Sequence, residues 1–261
     1  MNLSLKEKNA VVCGSTQGIG LAIAKELALL GAHCTLVARN EEALKKVIGE
    51  LDSSQLQHHN FLVADFSKPD EVRTTIEEHV KQQAVHILIN NTGGPPAGMI
   101  MDAKEEEFLT AFNQHLVCNH ILTKAVVPSM KKEGYGRIIN IISTTVRIPL
   151  KNLGVSNTIR GAVASWAKTM ANELGQFGIT VNNLLPGNIS TQRLSSLIDT
   201  NARVANTDKE RIEQAMKNEI PMKRFGDPSE IAAVAAFLAS PAGSYVSGVS
   251  IPVDGGKTGS I

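Results

Sequence analysis

Short apolar runs alternate with longer segments of helical period along almost the whole chain, and no other feature of the sequence restricts the fold so tightly. Strand-sized runs are read at Ala10–Cys13, Cys34–Ala38, Phe61–Ala64, His86–Asn90, Arg137–Ile142, Ile179–Leu185 and Val249–Val253. Between them, Ile19, Ile23, Leu27 and Leu30 recur at helical spacing before Gly31. Further helices are expected over Glu41–Leu51, from Pro69, over Glu105–Lys132, Val155–Phe177, Lys209–Lys217 and Pro228–Ala239. Runs that are apolar throughout, each followed by a helix, require a parallel sheet covered on both faces. Right-handed crossovers then favour a doubly wound α/β fold of about seven strands.

The length of 261 residues suits one large α/β domain, and no repeat or linker divides it, so residues 1–261 are read as a single unit. The polar stretch from Asn188 to about Thr207 is read as irregular. With the following residues to 218 it forms a candidate lid over a substrate. A net charge of +1, from 26 basic and 25 acidic residues, offers no footprint for nucleic acid or an anionic membrane. The longest apolar run, Ile231–Ala239, is about half of what a spanning helix needs, and no secretory leader is recognisable. Cys13, Cys34 and Cys118 are odd in number and lack zinc spacing. They are expected to be reduced, in a cytoplasmic protein. His33, His58, His59, His79 and His86 form no ligand pattern, so no metal is expected.

The first strand runs into Gly14-Ser15-Thr16-Gln17-Gly18-Ile19-Gly20, where a helix begins. Glycines at this turn let the chain bend sharply, let backbone approach a pyrophosphate and let the helix pack close to the strand. The helix N-terminus then presents free N–H groups to phosphate. The turn therefore predicts a Rossmann-type dinucleotide site. After the second strand, Ala38-Arg39-Asn40 lacks the carboxylate that would accept from the ribose diol of NAD. Arg39 is suited instead to the 2′-phosphate of NADP, so NADP(H) is expected over NAD(H). A solvated surface charge is the alternative. Asp65, followed by Phe66, closes the third strand, where its carboxylate suits an adenine amino group or merely forms a turn.

These motifs and several that follow resemble the short-chain dehydrogenase/reductase family over essentially the whole chain. Asn90-Asn91-Thr92-Gly93 resembles its Asn-Asn-Ala-Gly motif, with Thr92 in place of Ala. Gly136–Ser143 resembles the fifth strand ending in the catalytic serine, and Pro186-Gly187-Asn188-Ile189-Ser190-Thr191 the segment at the nicotinamide carboxamide. Arg224–Ile231 and Val253-Asp254-Gly255-Gly256 complete the pattern. The resemblance implies that Gly14, Ser15, Gln17, Gly18, Ile19, Gly20, Arg39, Asn40, Asp65, Phe66, Asn91, Thr92, Gly93, Pro186, Gly187, Ile189 and Thr191 line the cofactor. It also implies a homodimer or homotetramer acting on a small molecule.

One part of the pattern is broken. The family places a Tyr-x-x-x-Lys pair on the helix after the fifth strand, with the tyrosine thirteen residues past the serine. The lysine lowers the phenol pKa, and the phenol protonates the carbonyl oxygen. Here Ser156 stands thirteen residues past Ser143, and Arg160 follows four later. Arg160-Gly161-Ala162-Val163 keeps the register, and neither Tyr135 nor Tyr245 falls at the vacant position. The family's helix asparagine aligns with His115. The set expected to do the chemistry is thus His115, Ser143, Ser156 and Arg160, with Arg160 also on the cofactor ribose and His115 or water moving the proton. Arg147 is a candidate for binding a substrate carboxylate or stabilising an oxyanion, or a surface charge. Two functions are compatible with this sequence. One is an NADP(H)-dependent oxidoreductase of a carbonyl, alcohol or imine with an atypical proton donor. The other is a dinucleotide-binding sensor or scaffold without that chemistry.

Overall fold

In the computed structural model, which describes residues 1–260, each apolar run becomes one strand of a single parallel sheet. The strands are β1 (Asn9–Cys13), β2 (His33–Ala38), β3 (Asn60–Val63), β4 (Ile87–Asn90), β5 (Gly136–Ile141), β6 (Ile179–Pro186) and β7 (Ser250–Val253). Their order is β3-β2-β1-β4-β5-β6-β7. The order reverses between β1 and β4, which opens a crevice at the carboxyl ends of these two strands, the usual ligand position in such sheets.

Alternate side chains along each strand enter opposite layers. On β1, Ala10 and Val12 face the layer built by α1 (Gly18–Leu29), α2 (Glu41–Ile48) and α9 (Pro228–Ala239). Val11 and Cys13 face the layer of α3 (Pro69–Gln82), α5 (Cys118–Glu133) and α6 (Gly154–Leu174). The helical stripe read from the sequence is what docks α1, since Ile23 and Leu27 are fully buried against α9. Each such side chain contributes about 1.5–3 kcal/mol on burial.

Two expectations are corrected. Glu105–Lys132 is not one regular helix: α4 (Glu105–Phe112) passes through a π-helical turn, Asn113–Val117, into α5. An extra residue shifts the phase of the apolar stripe once and leaves helical spacing on either side of the turn, so the sequence was read as one continuous helix. The stretch after Asn188 is not irregular either. Gln192–Ala205 is a helix, α7, followed by α8 (Lys209–Asn218). Leu194, Ile198 and Ala202, four apart, form its buried stripe, and the Thr191 side chain caps it by accepting from the Leu194 N–H at 3.3 Å. The Ser, Thr and Asn that suggested a loop lie on the other faces or at the cap.

Inside the sheet, Asn90, Asn140 and Asn183 stand side by side on β4, β5 and β6. Asn90 Nδ2 donates to Asn140 Oδ1 at 2.8 Å, Asn140 Nδ2 to Asn183 Oδ1 at 2.9 Å, and Asn183 Nδ2 to Ser250 Oγ at 3.1 Å. Buried amides are stable only when paired, so this chain of amides fixes the mutual register of four strands just below the crevice.

Candidate active site

The crevice floor is the glycine turn. Gly14 has φ +59°, and a Cβ there would lie 2.6 Å from the Asn91 carbonyl oxygen. A Cβ on Gly20 would lie 2.2 Å from that of Gly14. Asn91 locks the arrangement by donating from Nδ2 to the carbonyls of Cys13 and Gly14, at 3.2 and 3.1 Å. The turn is thus held as close to β4 as backbone allows. At the start of α1, Gln17 provides no side-chain cap, which leaves the first N–H groups of the helix open to an anion. The Ser15 hydroxyl is fully buried beside the turn and lacks a hydrogen-bond partner, as does Asn188 Nδ2 across the crevice. Orphaned polar atoms, an uncapped helix and a cradle with no room for a Cβ all fit a dinucleotide.

Arg39 and Asn40 leave β2 exposed to solvent. The Asn40 side chain caps α2, its Oδ1 accepting from the Ala43 N–H at 3.0 Å. Asp65 accepts from the Ser67 N–H at 2.9 Å. That bond, with a smaller contribution from the positive charge of Arg39, holds its carboxyl below the usual range. Phe66 is half-buried and its carbonyl accepts from the Cys118 thiol. All three cysteines are buried and free.

Ser143 follows β5. Its Oγ accepts from the Thr145 N–H at 3.2 Å, which turns the chain into a short 3₁₀ segment, Thr144–Val146. Ser156 and Arg160 project from the first two turns of α6, one turn apart, and are 7% and 8% exposed. Arg160 donates from Nη1 to the Ile141 carbonyl at 3.0 Å, which ties α6 to the end of β5. Burial, and secondarily Arg193, pushes the guanidinium pKa down to about 10, so it remains a cation at neutral pH. No tyrosine substitutes for the missing one. The Tyr135 hydroxyl donates to the Ala239 carbonyl at 2.6 Å behind the sheet, and Tyr245 is fully exposed.

The π turn aims His115 inward, where Thr92 Oγ1 is hydrogen-bonded to its Nδ1 and its Nε2 is buried without a partner. The ring is 1% exposed. Burial, reinforced by the cations of Arg160 and Arg193, pushes its pKa down to about 2. His115 is therefore neutral at working pH, with its Nδ1 engaged by Thr92.

Pro186 ends β6, and Gly187 packs so closely on Asp254 that a Cβ would meet the Asp254 Cβ at 2.6 Å. Ile189 is buried and bridges to Gly226. Thr191, besides capping α7, faces the glycine turn: its Cγ2 lies 3.3 Å from where a Gly18 Cβ would be. Two residues on, the guanidinium of Arg193 packs over Gly94, with Nη1 2.4 Å from a would-be Cβ. Arg193 was not singled out from the sequence, because its segment read as a loop. A capping Thr followed by an apolar stripe was the signal available. Arg147 is exposed, with Nη2 3.4 Å from the Ser250 carbonyl oxygen, and is not brought to the crevice.

A family model described as enoyl-(acyl carrier protein) reductase, adh_short_C2, matches residues 14–258. The chain belongs to the short-chain dehydrogenase/reductase family. Its similarity to other members is nearly full-length. It is 33% identical over 258 residues to the 3-oxoacyl-[acyl-carrier-protein] reductase FabG of Pseudomonas aeruginosa, covering 97% of this chain and 98% of that one. To dehydrogenase/reductase SDR family member 4 of Sus scrofa it is 34% identical over 254 residues, covering 97% and 88%. Among solved structures, L-sorbose reductase from Gluconobacter frateurii, complexed with NADPH and L-sorbose, superposes with a TM-score of 0.94 at 30% identity over the whole of both chains. Among the described residues no helix is long and apolar enough to cross a membrane, and no group of His, Cys, Asp and Glu is arranged to hold a metal ion.

Proposed function

We propose that this family member is an NADP(H)-dependent oxidoreductase acting on a carbonyl, alcohol or imine of a small molecule, with a proton donor other than tyrosine. The observation that carries the reading is the intact dinucleotide cradle with Arg39, not a carboxylate, at the end of β2. The NADPH-bound relative supports the same cofactor. Gly14, Ser15, Gln17, Gly18, Ile19 and Gly20 hold the diphosphate, Arg39 the 2′-phosphate, Asp65 and Phe66 the adenine side. Asn91, Thr92 and Gly93, with Arg160, line the ribose and nicotinamide, and Pro186, Gly187, Ile189 and Thr191 the carboxamide.

When bound, the nicotinamide supplies or accepts a hydride at the substrate carbon. Ser143 and Ser156 orient the substrate oxygen by hydrogen bonds. The buried cation of Arg160 favours negative charge developing there. An alcohol is too weak an acid to replace a phenol, and His115 is neutral with Nδ1 engaged, so the proton that completes a reduction comes from water. Segment 188–218, now seen as α7 and α8, covers the cleft as a lid: α8 buries no residue, so it is free to move on small cost. The chain assembles as a homodimer or homotetramer in the cytoplasm. Leu109 and Phe112, exposed on α4, are apolar surface that a second copy would cover.

Calorimetric titration with NADPH and, separately, NADH tests this. Binding of NADPH at least tenfold tighter than NADH is expected. Absence of binding to either overturns the reading and leaves the glycine turn as inherited scaffold.

A further inference from the structure

Two guanidinium groups border the crevice from different elements, the buried Arg160 from α6 and the exposed Arg193 from the first turn of α7. Neither forms an ion pair with a carboxylate among the described residues, whereas the arginines at 73 and 224 pair with Asp70 and Glu230. Arg160 is 8% exposed and its one protein acceptor is the neutral Ile141 carbonyl. Arg193 rests on Gly94, the residue immediately beyond the Asn91-Thr92-Gly93 segment, and at Gly94 a side chain would collide with the guanidinium. The charges act on a common region: both weaken protonation of His115, and that of Arg193 works against the Arg160 cation. Arg160 is buried and Arg193 is open to solvent, and an anion placed between two like charges relieves their repulsion. The planar fork of a guanidinium pairs bidentately with a carboxylate, as it does with a phosphate.

The cofactor diphosphate is the competing anion, and position argues against it. Thr191 is the residue of this segment that faces the glycine turn, at Gly18. Arg193, two residues further, faces Gly94, on the side where Thr92, His115 and Arg160 gather. The diphosphate cradle and the arginine pair are thus served by different residues of one segment.

We propose that Arg193 receives a carboxylate on the substrate, with the nearby Arg160 cation adding to the field that favours it, so that the chain acts on a carbonyl compound that is also a carboxylic acid. This rests on the oxidoreductase reading and names its substrate class.

The test uses the full chain saturated with NADP⁺, so that no turnover occurs, titrated calorimetrically with 2-oxohexanoate and 4-oxopentanoate and with the methyl ester of each. At least one acid is expected to bind tenfold or more tighter than its ester. Arg193→Gln is expected to reduce the acid's affinity to that of the ester while NADP⁺ affinity stays within twofold, and Arg193→Lys to restore part of the difference. Equal binding of acid and ester, or no binding of either, overturns the proposal. A tenfold loss of NADP⁺ affinity in Arg193→Gln also overturns it, and assigns Arg193 to the diphosphate. If the protein takes up no NADP⁺ at all, the cofactor reading is what fails. The acid–ester comparison on the free chain still reports on the arginine pair.

Discussion

The hydroxyl of Thr92 is hydrogen-bonded to Nδ1 of His115. Both residues stand where the family pattern has something else, Ala for the first and Asn for the second. The two departures therefore touch, and each supplies the partner the other needs.

Burial of His115, reinforced by the cations of Arg160 and Arg193, makes the stability of the fold depend on acid pH. Unfolded, the ring titrates near 6.5; folded, it stays neutral down to about 2. The unfolded chain thus gains a proton that the native chain refuses, and stability is full above pH 6.5 and falls as pH drops below it, by about 1.4 kcal/mol per pH unit. His79 and His86 shift in the same direction and add to the loss. Urea unfolding at pH 7 and pH 5 should show His115→Gln losing about 2 kcal/mol less than the native chain over that interval. An identical loss in both would mean that His115 is not buried neutral.

Arg39 decides between cofactors. Arg39→Leu is expected to weaken NADPH at least tenfold, about 1.4 kcal/mol or more for a charge-assisted bond to phosphate, and to leave NADH nearly unchanged. Titration with both dinucleotides reads the ratio. A parallel loss for the two would make Arg39 a surface charge.

Gly20→Ala tests the cradle. Its Cβ would sit 2.2 Å from the Gly14 carbonyl oxygen, so the turn must widen. Dinucleotide affinity should fall by an order of magnitude or more, with a stability loss of about 1–3 kcal/mol from the overpacked contact. Unaltered affinity would mean that close approach of backbone to the diphosphate is not what holds it.

The asparagine chain makes a separate prediction about the fold. Asn140→Leu leaves the buried amides of Asn90 and Asn183 without their shared partner, at about 1–3 kcal/mol for each unsatisfied group. A drop in urea midpoint is expected, and a midpoint equal to the native one would show that solvent or rotation satisfies them.

The alternation of strands and helices was legible from apolar patterning alone, because a parallel strand buried on both faces leaves few alternatives. The glycine turn was legible for the same kind of reason: close approach of backbone demands a particular residue type at particular places. The π turn was not, since it inserts a residue without altering which residues are apolar. Nor was α7, where Ser, Thr and Asn masked a stripe of only Leu194, Ile198 and Ala202. Missing α7 meant missing Arg193, whose importance comes from packing on Gly94, about a hundred positions earlier in the chain. The neutrality of His115 was likewise hidden, because a sequence states a residue's ordinary pKa and only its burial states the shifted one.

The central claim is that the cradle serves hydride transfer without a tyrosine acid. It is tested most directly by incubating the chain with NADPH deuterated at both C4 positions and a panel of 2-oxo and 4-oxo acids, their esters and simple ketones, and analysing products by mass spectrometry. The account predicts an alcohol carrying one deuterium at the former carbonyl carbon, formed from at least one compound. It also predicts no break in its rate between pH 7 and 9, since His115 and Arg160 titrate outside that range. Firm NADPH binding with no deuterium in any product would contradict it, and would make the chain a dinucleotide-binding protein that does no redox chemistry on these carbonyls.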